Sequence, residues 1–204
     1  MSGVTAHALA TTGSFRQIPA VQTAVQSDYV PVAEYLAAEE ASDVRHEYLG
    51  GLVYAMAGET RAHNTITVNL ATFIRHRLKQ PCKLYMSGIR VNFQLRKDEY
   101  FYYPDVVVTC DASDNDSRFV RRPKLIIEVL SESTERVDRR EKFFAYTTIE
   151  SLEEYVLIAQ TSLEATIFRR ANNWRLEKIS GPSGSLALDS VQIELPLAGI
   201  YEGI

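Results

Sequence analysis

Tyr102-Tyr103-Pro104-Asp105-Val106-Val107-Val108 and Lys124-Leu125-Ile126-Ile127-Glu128-Val129-Leu130 are the two stretches that decide the fold. They predict strands over 102–109 and 124–130. Both are nearly all apolar, as expected of strands covered on both faces. One acid interrupts each run: Asp105 opens the first and Glu128 sits inside the second. An ionised carboxylate in such surroundings is costly unless it is paired or bound to a cation. Taken singly, each acid is a strand-end carboxylate that accepts backbone N–H groups or pairs with an arginine. Taken together, two acids on sequential strands can share a divalent cation. Mg²⁺ is typically held by one or two carboxylates, waters and a phosphate oxygen. Bound there, it can activate water and stabilise the charge that develops in phosphodiester cleavage.

The flanking sequence supplies the rest of one domain. Over 60–79, Ile66, Leu70, Phe73, Ile74 and Leu78 fall at spacings of 4, 3, 1 and 4, an amphipathic helix. His63 lies one turn before Ile66 on the same face, and Pro81 stops the helix. Gly50-Gly51 separates two β-rich halves, 47–49 and 52–54, which predicts a hairpin. Pro31 opens a short helix over 32–40. Further strands are expected at 83–87 and 89–95, with a polar loop at 111–117. Downstream, 137–148 reads as a helix with Val137, Phe144 and Ala145 toward the core. The segments 154–158, 163–169 and 174–179 read as an antiparallel meander turning at Asn172-Asn173, and 192–195 as a short last strand. Residues 1–27, with Arg16 as the only charged side chain, read as a flexible N-terminal arm. Neither a repeat nor a linker interrupts 28–204. The expectation is one α+β domain, a mixed β-sheet flanked by helices with a C-terminal antiparallel meander.

Composition excludes several classes. With 204 residues, 46% hydrophobic and 24% charged, the chain is neither disordered, collagenous nor a coiled-coil rod. Two cysteines without a CxxC pair, Cys82 and Cys110, argue against a zinc finger or a disulfide scaffold, and reduced thiols in the cytoplasm are the simplest expectation. No apolar run approaches the roughly 20 residues that span a bilayer, and the N-terminus lacks a Lys/Arg-flanked apolar core. The net charge of −4 conceals a segment from Arg61 to Lys97 with eight basic residues and no acid. That segment reads either as a phosphate-contacting surface or as a solvated helix face with strand ends. The 11 tyrosines are too dispersed to define a stacking platform.

The ordered series Glu47-Tyr48-Leu49-Gly50-Gly51, Met56-Ala57-Gly58 with His63, Tyr103-Pro104-Asp105-Val106-Val107-Val108, Ile127-Glu128-Val129-Leu130-Ser131-Glu132-Ser133-Thr134, Asp138-Arg139-Arg140-Glu141-Lys142 and Tyr146 resembles the Uma-type branch of the PD-(D/E)XK nuclease superfamily. These are restriction-endonuclease-like proteins, and the resemblance covers about 32–158. It implies a restriction-endonuclease-like fold and Mg²⁺- or Mn²⁺-dependent hydrolysis of DNA. It makes Asp105 and Glu128 metal ligands, with the Val129 carbonyl as a third, and Glu47 the N-terminal acid that assists metal binding. The superfamily's lysine, due two residues after Glu128, is replaced by Leu130, and the resemblance moves it to Lys142 on the following helix. His63 reads as a core histidine or as a group positioning water or phosphate, and Arg90 as a phosphate contact. Asp138, Lys142 and Tyr146 recur at four-residue spacing and share one stripe, so Lys142 either serves the chemistry or only pairs with Asp138 at the surface. The same precedent suggests a homodimer. Two rivals remain at this stage: a catalytically silent DNA-binding or regulatory module on the nuclease fold, and an RNA-processing enzyme with the same metal chemistry.

Overall fold

The computed structural model describes residues 29–131 and 135–204. In chain order the elements are α1 (Val32–Ala41), β1 (His46–Leu49), β2 (Leu52–Ala55), α2 (Arg61–Arg77), β3 (Lys83–Met86), β4 (Arg90–Leu95), β5 (Asp98–Tyr102), β6 (Val106–Thr109), β7 (Phe119–Val120), β8 (Leu125–Leu130), α3 (Glu135–Val137), a π-helical turn (Asp138–Lys142), α4 (Phe143–Tyr146), β9 (Glu154–Ala159), β10 (Glu164–Arg169), β11 (Leu176–Ser180), β12 (Ser185–Leu188), β13 (Ile193–Pro196) and α5 (Leu197–Ile200). The α+β class and the C-terminal meander are as expected. The flexible arm assigned to 1–27 lies outside the described residues.

The strands form two large sheets and one small one, with orders β2-β1-β5-β4-β7, β11-β10-β9-β8-β6-β3 and β12-β13. The six-stranded sheet is mixed, because β8 and β9 run parallel while its other pairs are antiparallel. The single strand expected over 102–109 is in fact two. β5 ends at Tyr102 in one sheet and β6 begins at Val106 in the other. Pro104 has no N–H to give a ladder, and the Tyr103 N–H turns to the Glu47 carboxylate at 3.4 Å. The Pro104-Asp105 step is the only local mark of this change of sheet, because the residues on either side of it are equally buried.

Alternation along β6 and β8 sends side chains into two cores. Val106, Val108, Leu125, Ile127 and Val129 pack with Ile66, Leu70 and Ile74 of α2, and with Leu186, Leu195 and Leu197 behind them. Val107, Ile126 and Leu130 pack on the other face with Tyr102, Ala145, Tyr146 and Tyr155. β6 and β8 are therefore buried on both sides, as their composition predicted. A third cluster joins Tyr35 of α1 to Tyr48 and Phe101 of the five-stranded sheet. The Gly50-Gly51 hairpin forms as expected, with both residues at positive φ (57° and 105°) and Leu49 opposite Leu52. A Cβ at Gly51 would also run into the Tyr29 ring.

Two further expectations are corrected. Phe144 is not in the core: it is 69% exposed, and the inward places of its helix go to Asp138, Lys142 and Tyr146. Lys142 and Phe144 are two positions apart and so lie on nearly opposite sides of a helix, and the charged stripe takes the inside. Cys82 and Cys110 are not free thiols; they are joined. Cys82 precedes β3 and Cys110 follows β6, and the Lys83–Thr109 register sets them face to face, a pairing that sequence spacing does not reveal. Among the described residues no helix is long and apolar enough to cross a membrane.

Leu70→Ala, at a fully buried position, is expected to cost about 2–5 kcal/mol of unfolding free energy in denaturant titration. Phe144→Ala should stay within about 0.5 kcal/mol of wild type, whereas a loss as large as that of Leu70→Ala would put Phe144 back in the core.

Candidate functional site

Five elements converge where the two large sheets meet. Glu47 comes from β1, Asp105 from the step into β6 and Glu128 from β8. Asp138 and Lys142 come from the π-helical turn, and His63 from the first turn of α2. All six are buried. Glu128 shares the face of Ile126 and Leu130, which points it at Tyr146 and Lys142 rather than at α2.

Lys142 is the hub on that side. Its Nζ lies 3.0 Å from Glu47 Oε1, 3.1 Å from Glu128 Oε1 and 3.4 Å from Asp138 Oδ1. The Tyr146 hydroxyl also donates to Glu128 Oε1, at 3.2 Å. Burial opposes the Lys142 charge, but Glu128, Glu47 and Asp138 together outweigh it and hold the ammonium well above its ordinary range. Complete burial pushes Glu128 upward, against the pull of Lys142. Lys142 is thus no solvated surface partner of Asp138. Asp138 itself, which the sequence presented as half of a helix-surface pair, is buried among these groups. An acid four residues before a cation does not reveal by spacing which way the pair faces.

Asp105 is held differently. Its Oδ2 accepts the Val129 N–H at 2.6 Å, and its own N–H points to Glu128 Oε2 at 3.4 Å. Burial pushes its carboxyl up to about 7, while the Val129 N–H and Lys142 pull the other way. Asp105 Oδ1 faces His63 Nε2 at 3.0 Å. The direction between them does not suit a hydrogen bond, and that buried nitrogen has no hydrogen-bond partner among the described residues. Burial lowers the His63 pKa, against the opposing influence of Glu59 and Asp138, which favours the neutral imidazole.

Glu59 completes this side. Glu59, His63 and Asp105 each offer a ligand atom, and the three atoms lie within 4.8 Å of one another. A neutral imidazole nitrogen and two carboxylates are a donor set that fits a divalent cation. Thr60 fixes the start of α2 by accepting the His63 N–H at 3.1 Å. Glu59 and His63, four residues apart, therefore flank the helix cap. That spacing was visible in the sequence, but only the fold brings Asp105 opposite it.

Of the other expected residues, Val129 is at the site through its backbone and Arg90 lies apart from it. Val129 contributes its N–H to Asp105, and its side chain belongs to the α2 core. Arg90 is buried in an aromatic cage, with its guanidinium 4.7 Å from the Phe119 ring centroid and within 6.0 Å of those of Tyr35, Phe101 and Tyr103. Among the described residues it makes no ion pair with the acids of the cluster. The basic stretch 61–97 does not gather at one surface. Arg61 opens α2 beside the cluster, whereas Arg75 and Arg77 lie about 20 Å further along the helix. Lys83 pairs with Thr109, at the end of β6 away from Asp105.

A restriction-endonuclease-like domain is what this architecture defines, and its acids and lysine meet at one junction of sheets. The family model described as "Uma2: Putative restriction endonuclease" matches residues 32–198, and the chain belongs to that family. It is 35% identical over 175 residues to the protein named "Uncharacterized protein slr1290" of Synechocystis sp., covering 84% of this chain and 90% of that one. A second Synechocystis sp. protein, "Uncharacterized protein sll1609", is 30% identical over 167 residues, covering 79% and 93%. Among solved structures, a chain from Anabaena variabilis titled "a putative nuclease belonging to DUF820" superposes with a TM-score of 0.66 at 14% identity, over 84% of this chain and 97% of that one. This last likeness shows a shared fold.

Removing the lysine leaves three carboxylates without their cation. Lys142→Met is expected to cost about 3–5 kcal/mol in chemical denaturation, the scale of breaking a buried ion pair by deleting one partner. Adding Glu128→Gln to it should recover part of the loss. An unchanged unfolding midpoint in Lys142→Met would show that the cluster does not hold the fold.

Proposed function

We propose that the protein is a divalent-metal-dependent endonuclease that hydrolyses DNA phosphodiester bonds. The observation that carries this reading is the buried convergence on Asp105, with Glu59 and His63 on one side and the Glu47–Glu128–Asp138–Lys142 cluster on the other. A cation at Asp105, Mg²⁺ or Mn²⁺ in kind, supplies water activation and neutralises charge on the phosphate.

The chain's own residues do the rest. The Val129 N–H fixes one Asp105 oxygen and leaves the other facing His63. Lys142, charged and held by three acids, would act on the attacking water and the scissile phosphate through its field, while its short contacts stay with those acids. Glu47 and Glu128 set its position, and the Tyr146 hydroxyl holds Glu128. The water oxygen bonds to phosphorus as the bond to the leaving oxygen breaks. The water proton passes to a carboxylate or to solvent, and the leaving oxygen takes one from solvent. Arg61 at the start of α2, with Arg136 and Arg140 on the segment that carries Lys142, supplies exposed cations for the flanking phosphates. Two copies, each with one site, would cut both strands of a duplex, in line with a homodimer.

Duplex, branched and single-stranded DNA should be assayed with Mn²⁺ and with Mg²⁺, alongside RNA. Asp105→Asn is expected to lower cleavage by about a hundredfold or more, the scale of losing one positioned electrostatic group, while the fold is kept. DNA binding without cleavage in the wild type would favour the silent module instead, and preferential cleavage of RNA the third reading. Each phosphate contact adds about one unit to the salt slope of binding. Arg136→Ala with Arg140→Ala should reduce that slope by about two, and Arg75→Ala with Arg77→Ala should leave it alone. The reverse pattern would move the DNA to the far end of α2.

A further inference from the structure

We propose that Glu59, His63 and Asp105 form the seat of a first-row transition-metal dication of the Mn²⁺, Co²⁺ or Zn²⁺ kind, and that Glu128 stays with Lys142 rather than joining it. This deepens the endonuclease reading and rests on it.

The three ligand atoms lie within 4.8 Å of one another. Two ligands across a cation with bonds of about 2.1 Å stand about 4.2 Å apart, so small side-chain movements close the set. His63 gives the strongest indication. Its Nε2 is buried, stands beside the Asp105 carboxylate and has no hydrogen-bond partner among the described residues. Leaving a buried polar nitrogen unpaired costs free energy, and a metal ion is the partner that both it and the carboxylates fit. The opposite Asp105 oxygen is oriented by the Val129 N–H, as an outer contact orients a metal ligand. Glu59 is exposed, so that side stays open for waters and a phosphate oxygen.

Burial of acid is not by itself the criterion. Glu154 is equally buried in the same sheet, yet it is satisfied by Arg169 at 2.9 Å and by the N–H groups of Asp189 and Ser190 at 3.0 Å each. Glu128 resembles Glu154: its Oε1 already accepts from Lys142 and Tyr146. Drawing it to a cation would strip Lys142 of a partner. An imidazole ligand also shifts preference away from Mg²⁺, which favours oxygen ligands, and toward transition dications.

The test is Mn²⁺ and Mg²⁺ binding to the full chain by calorimetry, with electron spin-echo spectroscopy of bound Mn²⁺ to detect a coordinated imidazole nitrogen. The expected result is one tight Mn²⁺ site, weaker Mg²⁺ binding and a nitrogen signal that His63→Ala removes. His63→Ala should lower Mn²⁺ affinity by about a hundredfold, since losing even an outer contact to a metal ligand costs about 10–100-fold. Glu59→Gln, an exposed change that spares the fold, should lower it by about tenfold on the same scale, and Glu128→Gln should leave it nearly unchanged. Loss of binding in Glu128→Gln, with full binding in His63→Ala and Glu59→Gln, would place the ion between Asp105 and Glu128; it would overturn this inference and leave the endonuclease reading intact. Absence of any Mn²⁺ or Mg²⁺ site in the wild type, together with absence of cleavage, would overturn both.

Discussion

One ammonium group within 3.4 Å of three buried carboxylates is the constraint on which the architecture depends. Lys142 Nζ reaches Glu47 in the five-stranded sheet, Glu128 in the six-stranded sheet and Asp138 in its own helical turn. None of these four groups can be left alone in such a place. A buried ion whose partner is removed keeps its desolvation penalty and loses the attraction that offsets it. The cluster therefore fixes how the two sheets and the helical segment meet. Apolar packing alone tolerates small slides, whereas a hub with three short contacts does not.

The π-helical turn fits the same constraint. Widened turns of this kind recur at functional sites, and here one carries both Asp138 and Lys142 inward. The Asp138 carbonyl accepts the Tyr155 hydroxyl at 3.0 Å, which ties the turn to β9. The Tyr146 ring packs on those of Tyr102 and Tyr155, with centroids 5.3 and 5.4 Å apart. The Tyr102 ring lies 5.6 Å from Lys142 Nζ. These tyrosines provide apolar packing area and place hydroxyls where the buried acid and the widened turn need donors. They serve the charge cluster, not a nucleic-acid stacking surface.

Much of this was legible in the sequence, and the failures share a cause. Periodicity revealed α2, the Gly50-Gly51 hairpin, the doubly covered strands β6 and β8, and the meander β9–β11, because each depends on local pattern. The acids within apolar strands marked Asp105 and Glu128 on the same principle. Spacing failed wherever the answer lay in how distant segments meet. The break at Tyr103-Pro104-Asp105 changes sheets between two segments that are both buried. Cys82 and Cys110 meet through the register of β3 and β6. Asp138 and Lys142 could face either way until Glu47 and Glu128 arrived from other elements, and Phe144 went outward as a consequence. Glu59 carried no mark beyond its distance from His63, since its importance comes from Asp105, 46 residues on. Arg90 was read by its charge, but its place is set by the aromatic rings of α1, β5 and β7.

The site thus divides into two halves that solve the same electrostatic problem differently. On one side, an internal cation neutralises the acids, and every short contact there is made within the chain. On the other, Asp105 and Glu59 face a neutral imidazole, which offers a lone pair but no compensating charge. Asp105 belongs to both, linked through the Val129 N–H and its own N–H to the β8 side and through Oδ1 to His63. A protein that needed only stability had a ready solution, the arginine and backbone donors that surround Glu154. At the junction of the sheets, no lysine or arginine among the described residues makes an ion pair with Asp105 or Glu59, and Glu59 meets solvent there. Two carboxylates and an imidazole at an accessible edge, backed by an internal ion cluster, are the electrostatic setting on which the proposed cation site rests.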